Sequence, residues 1–219
     1  SIEPNLLTDE ILELTASSEK MCKHFHIPLQ SGSPKILRSM RRRYKVDDYY
    51  NLIHKVKKLV PDIGIGVDVI TGFPGENEND FLTTYNFLNE LPVSYLHAFS
   101  YSERPDTHAI TLKSSVDVNE RRKRTNMLRI LSEKKKHQFY SGMINKELEV
   151  LFESNDDNGF MKGFSSNYVR VQHLFNSESV NRFIKVKIKT VTDSICSGEL
   201  IEKTESKKDI KKSIDLIAC

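Results

Sequence analysis

Residues 63–77, IGIGVDVITGFPGEN, decide the fold. The apolar run at 63–70 predicts a strand that is buried on both faces, as in a parallel sheet. The turn after it holds two glycines, a proline and an aromatic residue before Glu76, and Asn77 is a suitable N-cap for a helix over 78–90. Ligands of α/β sheets and barrels bind at the carboxyl ends of parallel strands. This stretch therefore predicts both a βα unit and a candidate binding site.

Strands and helices alternate on both sides of this unit. Ser33 and Pro34 are a typical helix start, and Asp47 or Asp48 is the expected cap of a later helix. The apolar spacing predicts helices and strands over 6–20, 23–27, 34–41, 48–59, 94–101 and 117–140. Repeated βα units predict an α/β fold with a parallel sheet.

The pattern changes to β from about residue 147. Four segments rich in β-formers follow, with Asn158-Gly159 as a turn signal. They predict a small all-β module of four or five strands. The last residues, 206–219, are lysine-rich and are expected to form a polar tail.

Composition limits the class of protein. The chain has 219 residues, 38% of them hydrophobic and 29% charged, and a net charge of +3, which predict a soluble protein with no membrane partner. Cys22, Cys196 and Cys219 are far apart, which favours a reducing, cytoplasmic location over a disulfide framework. The first residue is Ser1, so we expect that an amino-terminal part of a longer protein is missing.

Three polar segments are predicted to meet at one rim of the sheet. PLQSGS at 28–33 follows the first predicted strand and SYSERPDT at 100–107 follows the last, as the glycine turn follows the strand at 63–70. The glycines let a backbone approach a ligand, Phe73 offers an apolar surface, and Glu76 offers an acceptor. Ordinary polar loops and a tight turn remain the alternative reading of each segment. Other candidates on this rim are Gln30, Ser31, Ser102, Glu103 and Arg104.

The histidines give a weak metal signal. His24 and His26 are two residues apart and face one side of their strand, and His97 is on another strand. No carboxylate or cysteine completes the set in the sequence, so we predict no metal ligands and expect packed or hydrogen-bonded histidines.

Basic residues suggest contact with RNA. Arg41, Arg42 and Arg43 end a predicted helix, either as a solvated helix end or as phosphate contacts. The basic side of the helix at 117–140 is expected to be a solvated face. Basic and aromatic residues alternate in the β-module, a pattern that suits binding by backbone charge and base stacking. The candidates there are Lys162, Tyr168, Arg170, Lys185 and Lys187.

Three motifs carry a resemblance to a known family. In order and spacing, HIPLQSGSPKILRSMRRRY (26–44), IGVDVITGFPGENENDF (65–81) and LHAFSYSERPDTHAI (96–110) resemble the radical-SAM methylthiotransferases over residues 1 to about 205. The resemblance implies part of a radical-SAM (β/α) barrel with a long basic helix over 1–142. It also implies a TRAM-like RNA-binding β-barrel over 143–205 and tRNA as partner.

The resemblance also implies residue roles. It puts Arg104 near the reacting centre and a second group near S-adenosyl-L-methionine. The [4Fe–4S] clusters of the family would have their ligands outside this chain, because its CxxxCxxC motif is absent here. The fragment alone is therefore expected to be inactive. The second group is Ser1, Glu3, Gln30, Ser31, Gly72, Phe73, Pro74, Gly75 and Glu76.

The substrate implied is an adenosine beside the anticodon of tRNA. YSERP, His97 and Phe99 resemble the branch that methylthiolates C2 of N6-threonylcarbamoyladenosine. The alternatives are the branch that acts on N6-isopentenyladenosine and a stand-alone RNA-binding module without catalysis. Two residues depart from the family pattern: Asp106 stands where glycine is usual and Asn77 where threonine is usual.

Overall fold

The computed structural model describes residues 1–112, 114–155 and 158–206. The chain divides into two compact units, Ser1–Lys136 and His137–Cys219. The predicted domain boundary at 142/143 stays a prediction. No helix in the described ranges is both long enough and apolar enough to cross a membrane.

The first unit contains the predicted βα units. Short 3-10 helices precede α1 and follow β3, at Pro4–Leu6 and His108–Thr111. The main elements are α1 Asp9–Ser17, β1 His24–His26, α2 Pro34–Ser39, α3 Val46–Leu59, β2 Gly64–Thr71, α4 Glu78–Glu90, β3 Tyr95–Ser100 and α5 Val118–Ser141, whose end belongs to the second unit. The α/β prediction is confirmed. Each predicted helix and strand of this unit is present, α4 with the predicted ends and each of the others with at least one end shifted by one to three residues.

The sheet is parallel, in the order β1-β2-β3. His26 pairs with Gly66, and Asp68 pairs with His97. Because side chains alternate between the faces of a sheet, each strand sends every second residue to the same side. Ile65, Val67 and Val69 are fully buried in the main core of this unit, together with side chains of α3, α4 and α5.

The opposite face of the sheet is not the apolar surface that the sequence predicts. On β2 it carries Gly64, Gly66, Asp68 and Ile70, and the last two line a cavity. The prediction that β2 is buried on both faces therefore holds for Gly64 and Gly66 but not for Asp68 and Ile70, which are partly buried. No alternation of polar and apolar residues is visible in the sequence, because Asp68 is the one polar side chain on this face of β2.

Helix caps follow local chemistry. Ser33 and Asn77 each accept a backbone N–H three residues on, as predicted, and Asp80 completes a capping box with Asn77. α3 differs: it begins at Val46 after Lys45, and Asp48 accepts the Lys45 N–H from within the first turn. Asp48 thus stabilises this helix start as the third residue of the helix rather than as its cap.

The second unit is a closed five-stranded β-barrel. Its strands are ordered β4-β5-β6-β8-β7, with β6 and β8 parallel and the other neighbours antiparallel. The strands are β4 Glu147–Asn155, β5 Phe160–Ser165, β6 Arg170–Leu174, β7 Arg182–Thr192 and β8 Ile195–Ser206. Alternate residues of these strands, such as Val150, Phe152, Ile184 and Val186, fill its interior. Of the predicted tail, Ser206 ends β8 and the rest lies outside the described residues.

Candidate functional site

The carboxyl ends of β1, β2 and β3 meet at a cavity of about 600 Å³ in the first unit. This volume lies in the range of small-molecule sites, about 300–1,000 Å³. Gln30 comes from the segment after β1 and Arg104 from the segment after β3. The full lining is Gln30, Arg42, Asp68, Ile70, Phe99, Ser100, Tyr101, Ser102, Arg104, Thr107 and Ala109.

A smaller cavity of about 250 Å³ shares part of this lining. Arg42, Ile70, Tyr101 and Ala109 line both, and Phe73 lines the smaller one. The ring of Phe73 meets that of Tyr101 edge to face, with centroids 5.4 Å apart. Gln30, Phe73 and Arg104 therefore lie around adjoining cavities, as expected for segments that follow neighbouring parallel strands.

Three buried polar atoms around these cavities have no hydrogen-bond partner among the described residues. They are Gln30 Oε1, Arg42 Nε and Tyr101 Oη. A buried polar group without a partner costs about 1–3 kcal/mol, so such groups are uncommon unless a ligand or water satisfies them. An acceptor, a donor and a hydroxyl at one place suit a small polar ligand such as a nucleoside bearing an amino acid.

A buried ion pair between Glu76 and Arg124 stabilises the glycine turn. Gly72 has φ +73°, a left-handed conformation that favours glycine. Its N–H donates to Glu76 Oε1 over 2.9 Å, and Arg124 Nη1 donates to the same oxygen over 2.7 Å. Burial raises the pKa of Glu76, while the Gly72 N–H and Arg124 oppose that shift. This oxygen of Glu76 thus stabilises the turn.

Ser31 is also committed to the scaffold. Its Oγ lies 3.2 Å from Thr84 Oγ1 and accepts the N–H of Ser33 over 3.1 Å, and the residue is fully buried. Ser31 therefore anchors the segment that carries Gln30. Pro74 is buried and Gly75 is half-buried, and neither is among the residues that line the two cavities described.

The amino-terminal residues reach the site through Arg42. Glu3 Oε1 accepts from Arg42 Nη1 over 2.9 Å, and Arg42 lines both cavities. Ser1 is exposed, and the N–H of Ile2 after it donates to the His26 carbonyl over 3.0 Å. Arg41 lines the smaller cavity, and Arg43 is exposed.

Two arginines of α5 were missed by the sequence analysis, which expected this helix to present a solvated basic face. Arg121 and Arg124 are only 4% and 5% exposed, so that expectation is wrong for them. Arg121 donates to the Tyr101 carbonyl over 3.0 Å and to Glu103 over 2.6 Å. It therefore fixes the start of the segment that carries Arg104. They lie in the continuous basic run Arg121-Arg122-Lys123-Arg124, and nothing in that run distinguishes the two buried arginines from their exposed neighbours.

The departures from the family pattern have local explanations. Asp106 has φ +61°, in the left-handed region where glycine is the least strained residue, and aspartate is one of the few others that tolerate it. Asn77 accepts the Asp80 N–H over 2.9 Å, which is the capping bond that a threonine side chain also makes.

The structure brings a carboxylate to the histidines. Asp68 Oδ1 lies 2.8 Å from His26 Nε2 and 3.5 Å from His97 Nδ1. The expectation that no carboxylate accompanies them is wrong, because the pairing of β2 with β3 sets Asp68 directly beside His97. His24 instead bonds to Tyr95 Oη over 2.9 Å, and burial lowers its pKa to about 4.

The predicted RNA-binding residues of the barrel fall into two groups. Tyr168 is half-exposed and stacks on Phe164 with centroids 4.9 Å apart, and the guanidinium of Arg170 lies 5.5 Å from the Phe164 centroid. Lys185 and Lys187 pair in register with the acidic residues Glu149 and Glu147 of β4, and Lys162 is partly buried on β5. The first group, Tyr168 and Arg170 beside Phe164, thus offers a stacking surface. In the second group, the β7 lysines have acidic neighbours.

The two cofactor types fit these residues differently. The partnerless atoms of Gln30, Arg42 and Tyr101 suit S-adenosyl-L-methionine, which has both donors and acceptors. A [4Fe–4S] cluster does not fit the described residues, because clusters of this type are held by groups of cysteine thiolates. In the described ranges the free cysteines are the exposed Cys22 and the buried Cys196, which belong to different units.

Comparison with known proteins agrees with these features. Residues 1–88 match the sequence model of the Radical SAM superfamily. The chain is 36% identical over 192 residues to the threonylcarbamoyladenosine tRNA methylthiotransferase MtaB of Bacillus subtilis (strain 168), covering 86% of this chain and 43% of that protein. It is 43% identical over 142 residues to MtaB of Aquifex aeolicus (strain VF5), covering 65% of this chain and 35% of that protein.

A relative whose name gives a different modified adenosine matches this chain over a similar length. The tRNA-2-methylthio-N(6)-dimethylallyladenosine synthase of Clostridium botulinum (strain Langeland / NCTC 10281 / Type F) is 34% identical over 201 residues, covering 90% of this chain and 44% of that protein. The chain thus spans less than half the length of these relatives. The match and the relatives imply S-adenosyl-L-methionine and [4Fe–4S] clusters as cofactors. They support for this chain the family that its three motifs resemble, the radical-SAM tRNA methylthiotransferases.

Proposed function

We propose that this chain is part of a tRNA methylthiotransferase that modifies C2 of N6-threonylcarbamoyladenosine beside the anticodon. The single observation that carries the proposal is the meeting of three motif segments at one cavity. Gln30 and Arg104, which are 74 positions apart in the sequence, line it together. The relatives whose names include threonylcarbamoyladenosine support this substrate. N6-isopentenyladenosine is the alternative, supported by the dimethylallyladenosine synthase relatives.

Four residues of the first unit have proposed tasks. The Gln30 amide and the Arg42 guanidinium would hold S-adenosyl-L-methionine by hydrogen bonds, and Phe73 would pack against its apolar part. When bound, S-adenosyl-L-methionine supplies the methyl group and the adenosyl fragment that radical-SAM chemistry uses. Arg104 is exposed at the cavity mouth, where its charge would face the substrate adenosine. The chain's contribution is positioning, because holding reactants near contact removes much of the entropic part of a barrier.

The second unit would bind the RNA. We propose that the barrel over 143–205 is a TRAM-like domain, with Tyr168 and Phe164 as the stacking surface and Arg170 as a phosphate contact. The stacked pair beside an arginine supports this role, since base–aromatic stacking and backbone charge are the usual terms in binding single-stranded RNA. Lys162 would add long-range attraction, whereas Lys185 and Lys187, beside Glu149 and Glu147, would contribute less.

Nucleoside analysis of tRNA tests the catalytic proposal. We expect a strain lacking the gene to lose 2-methylthio-N6-threonylcarbamoyladenosine and to keep 2-methylthio-N6-isopentenyladenosine. The gene should restore the modification, and Gln30→Ala should restore much less of it. Gln138→Ala, at an exposed position of α5, is the matched control and should restore it fully. Loss of the isopentenyl nucleoside instead would favour the alternative substrate, and loss of neither would contradict the proposed enzyme.

A stand-alone RNA-binding module is the second candidate, and the self-contained barrel favours it. This reading predicts that the chain binds tRNA alone and that the affinity falls steeply with salt, while the gene's deletion changes no nucleoside. Filter binding with tRNA at several salt concentrations, together with the nucleoside analysis, distinguishes the two functions.

A further inference from the structure

We propose that His26, Asp68 and His97 form a binding site for a divalent transition metal of the zinc class, on the face of the sheet opposite the main core. The ligand atoms of the three side chains all lie within 4.8 Å of one another. The site is separate from the iron–sulfur clusters implied for the family, and metal binding here does not depend on the proposed tRNA activity.

The separations between donors are close to those of a metal site. Zinc bonds of about 2.0–2.2 Å in a tetrahedron put two ligand atoms about 3.3 Å apart. Asp68 Oδ1 lies 2.8 Å from His26 Nε2 and 3.5 Å from His97 Nδ1, on either side of that value. Small side-chain rotations would therefore bring all three donors into range of one ion.

Hydrogen bonding explains only part of this arrangement. The His26–Asp68 contact has an ordinary hydrogen-bond length, but 3.5 Å is too long for a good bond from His97 to the same oxygen. The two imidazole rings meet edge to face at 88° with centroids 5.1 Å apart, a packing contact that does not give His97 Nδ1 a short bond to Asp68. An ion shared by all three groups accounts for their convergence in a way that the pair alone does not.

The strands hold the ligands in place. Asp68 and His97 are direct partners in the β2–β3 register, and His26 is on the neighbouring β1, opposite Gly66. Ligands on strands are positioned more precisely than ligands on loops. This placement could not be seen in the sequence, where the three residues are 42 and 29 positions apart.

The donor set selects the metal class. Two imidazoles with one carboxylate suit Zn²⁺ and similar transition metals, whereas Mg²⁺ and Ca²⁺ prefer oxygen ligands. Three protein ligands leave a fourth position open. Asp68 also lines the 600 Å³ cavity, so the open position would face the space where a small molecule can enter. The His97 side chain is 48% exposed, which gives an ion access.

Cobalt titration of the 219-residue chain tests the site. The protein is prepared without a histidine tag and with Cys22→Ser and Cys219→Ser, so that thiols do not compete for the metal. We expect one equivalent of Co²⁺ to bind with the intense visible absorption of a four-coordinate site, and Zn²⁺ to displace it. Asp68→Asn and His97→Gln should each weaken binding at least about 10-fold, because each removes a ligand. His54→Gln, an exposed surface histidine of α3, is the matched control and should bind as before.

A ligand exchange tests the geometry without removing a ligand. His97→Cys should keep Co²⁺ bound and add the near-ultraviolet charge-transfer band of a thiolate ligand. Circular dichroism of each variant checks that the fold is kept. Absence of the visible band in the starting protein, equal binding by His97→Gln, or absence of the thiolate band in His97→Cys would each overturn the proposal.

Discussion

The buried ion pair beneath the glycine turn gives the sharpest prediction. In Glu76→Gln the amide oxygen can still accept the Gly72 N–H, but Arg124 keeps its charge and loses its buried counter-ion. The two side chains are 2% and 6% exposed, so water screens the pair little. Removing one partner of a buried ion pair costs about 3–5 kcal/mol. Arg124 Nε also contacts Glu120 over 3.0 Å, and that carboxylate is 37% exposed.

This second, more exposed partner lowers the expected cost. We therefore expect Glu76→Gln to reduce the free energy of unfolding of the first unit by about 2–4 kcal/mol. At tenfold per 1.4 kcal/mol, backbone amides of α4 that exchange through unfolding should exchange about 30- to 700-fold faster. The double variant Glu76→Gln/Arg124→Met should cost less than the sum of the single changes, with a coupling of about 1–3 kcal/mol.

Hydrogen exchange followed by mass spectrometry is the suitable assay, because it reports on each unit separately. Peptides from α4 and β2 give the change in the first unit, and peptides from the barrel give an internal reference. Glu90→Gln, at the exposed end of α4, is the matched control and should change the free energy by less than about 0.5 kcal/mol. If Glu76→Gln behaved like Glu90→Gln, or if the two single changes were additive, the reasoning about the pair would be refuted.

Three further predictions concern other parts of the chain. Gly72→Ala should lower the free energy of unfolding by about 2–4 kcal/mol, because φ is +73° and the new methyl would lie 2.2 Å from Arg121 Cγ. Gly75→Ala, at φ +87° with no neighbour within 4 Å, should lower it by about 1–2 kcal/mol. Hydrogen exchange compares the two variants. Burial lowers the pKa of Lys135 from 10.5 to about 8, so the unfolded chain holds more protons between these values and stability should rise with pH there. Lys135→Met should flatten that rise in denaturation curves measured across this pH range. Tyr168→Ala should weaken tRNA binding by about 1–3 kcal/mol in filter binding with an unchanged salt slope, since stacking carries no charge; an unchanged affinity would contradict the stacking role.

Local signals in the sequence were enough to predict the helices and strands of the first unit. Ser33 and Asn77 marked helix starts that the structure retains, because a capping side chain acts on backbone only three residues away. The alternation of strands and helices determined the α/β class for the same reason, since period and turn chemistry are properties of neighbouring residues. The position of each polar segment directly after a predicted parallel strand also indicated that Gln30 and Arg104 lie at one rim.

Only the tertiary structure decided which polar residues serve the site and which serve the scaffold. Glu76 resembled a ligand contact, and packing of α5 supplied Arg124 to it instead. Asp68 resembled a single polar residue within a buried strand, and strand register placed it between His26 and His97. These outcomes depend on contacts between residues far apart in the chain. One sequence specifies such contacts only through the free energy of the whole fold, so no local pattern reveals them.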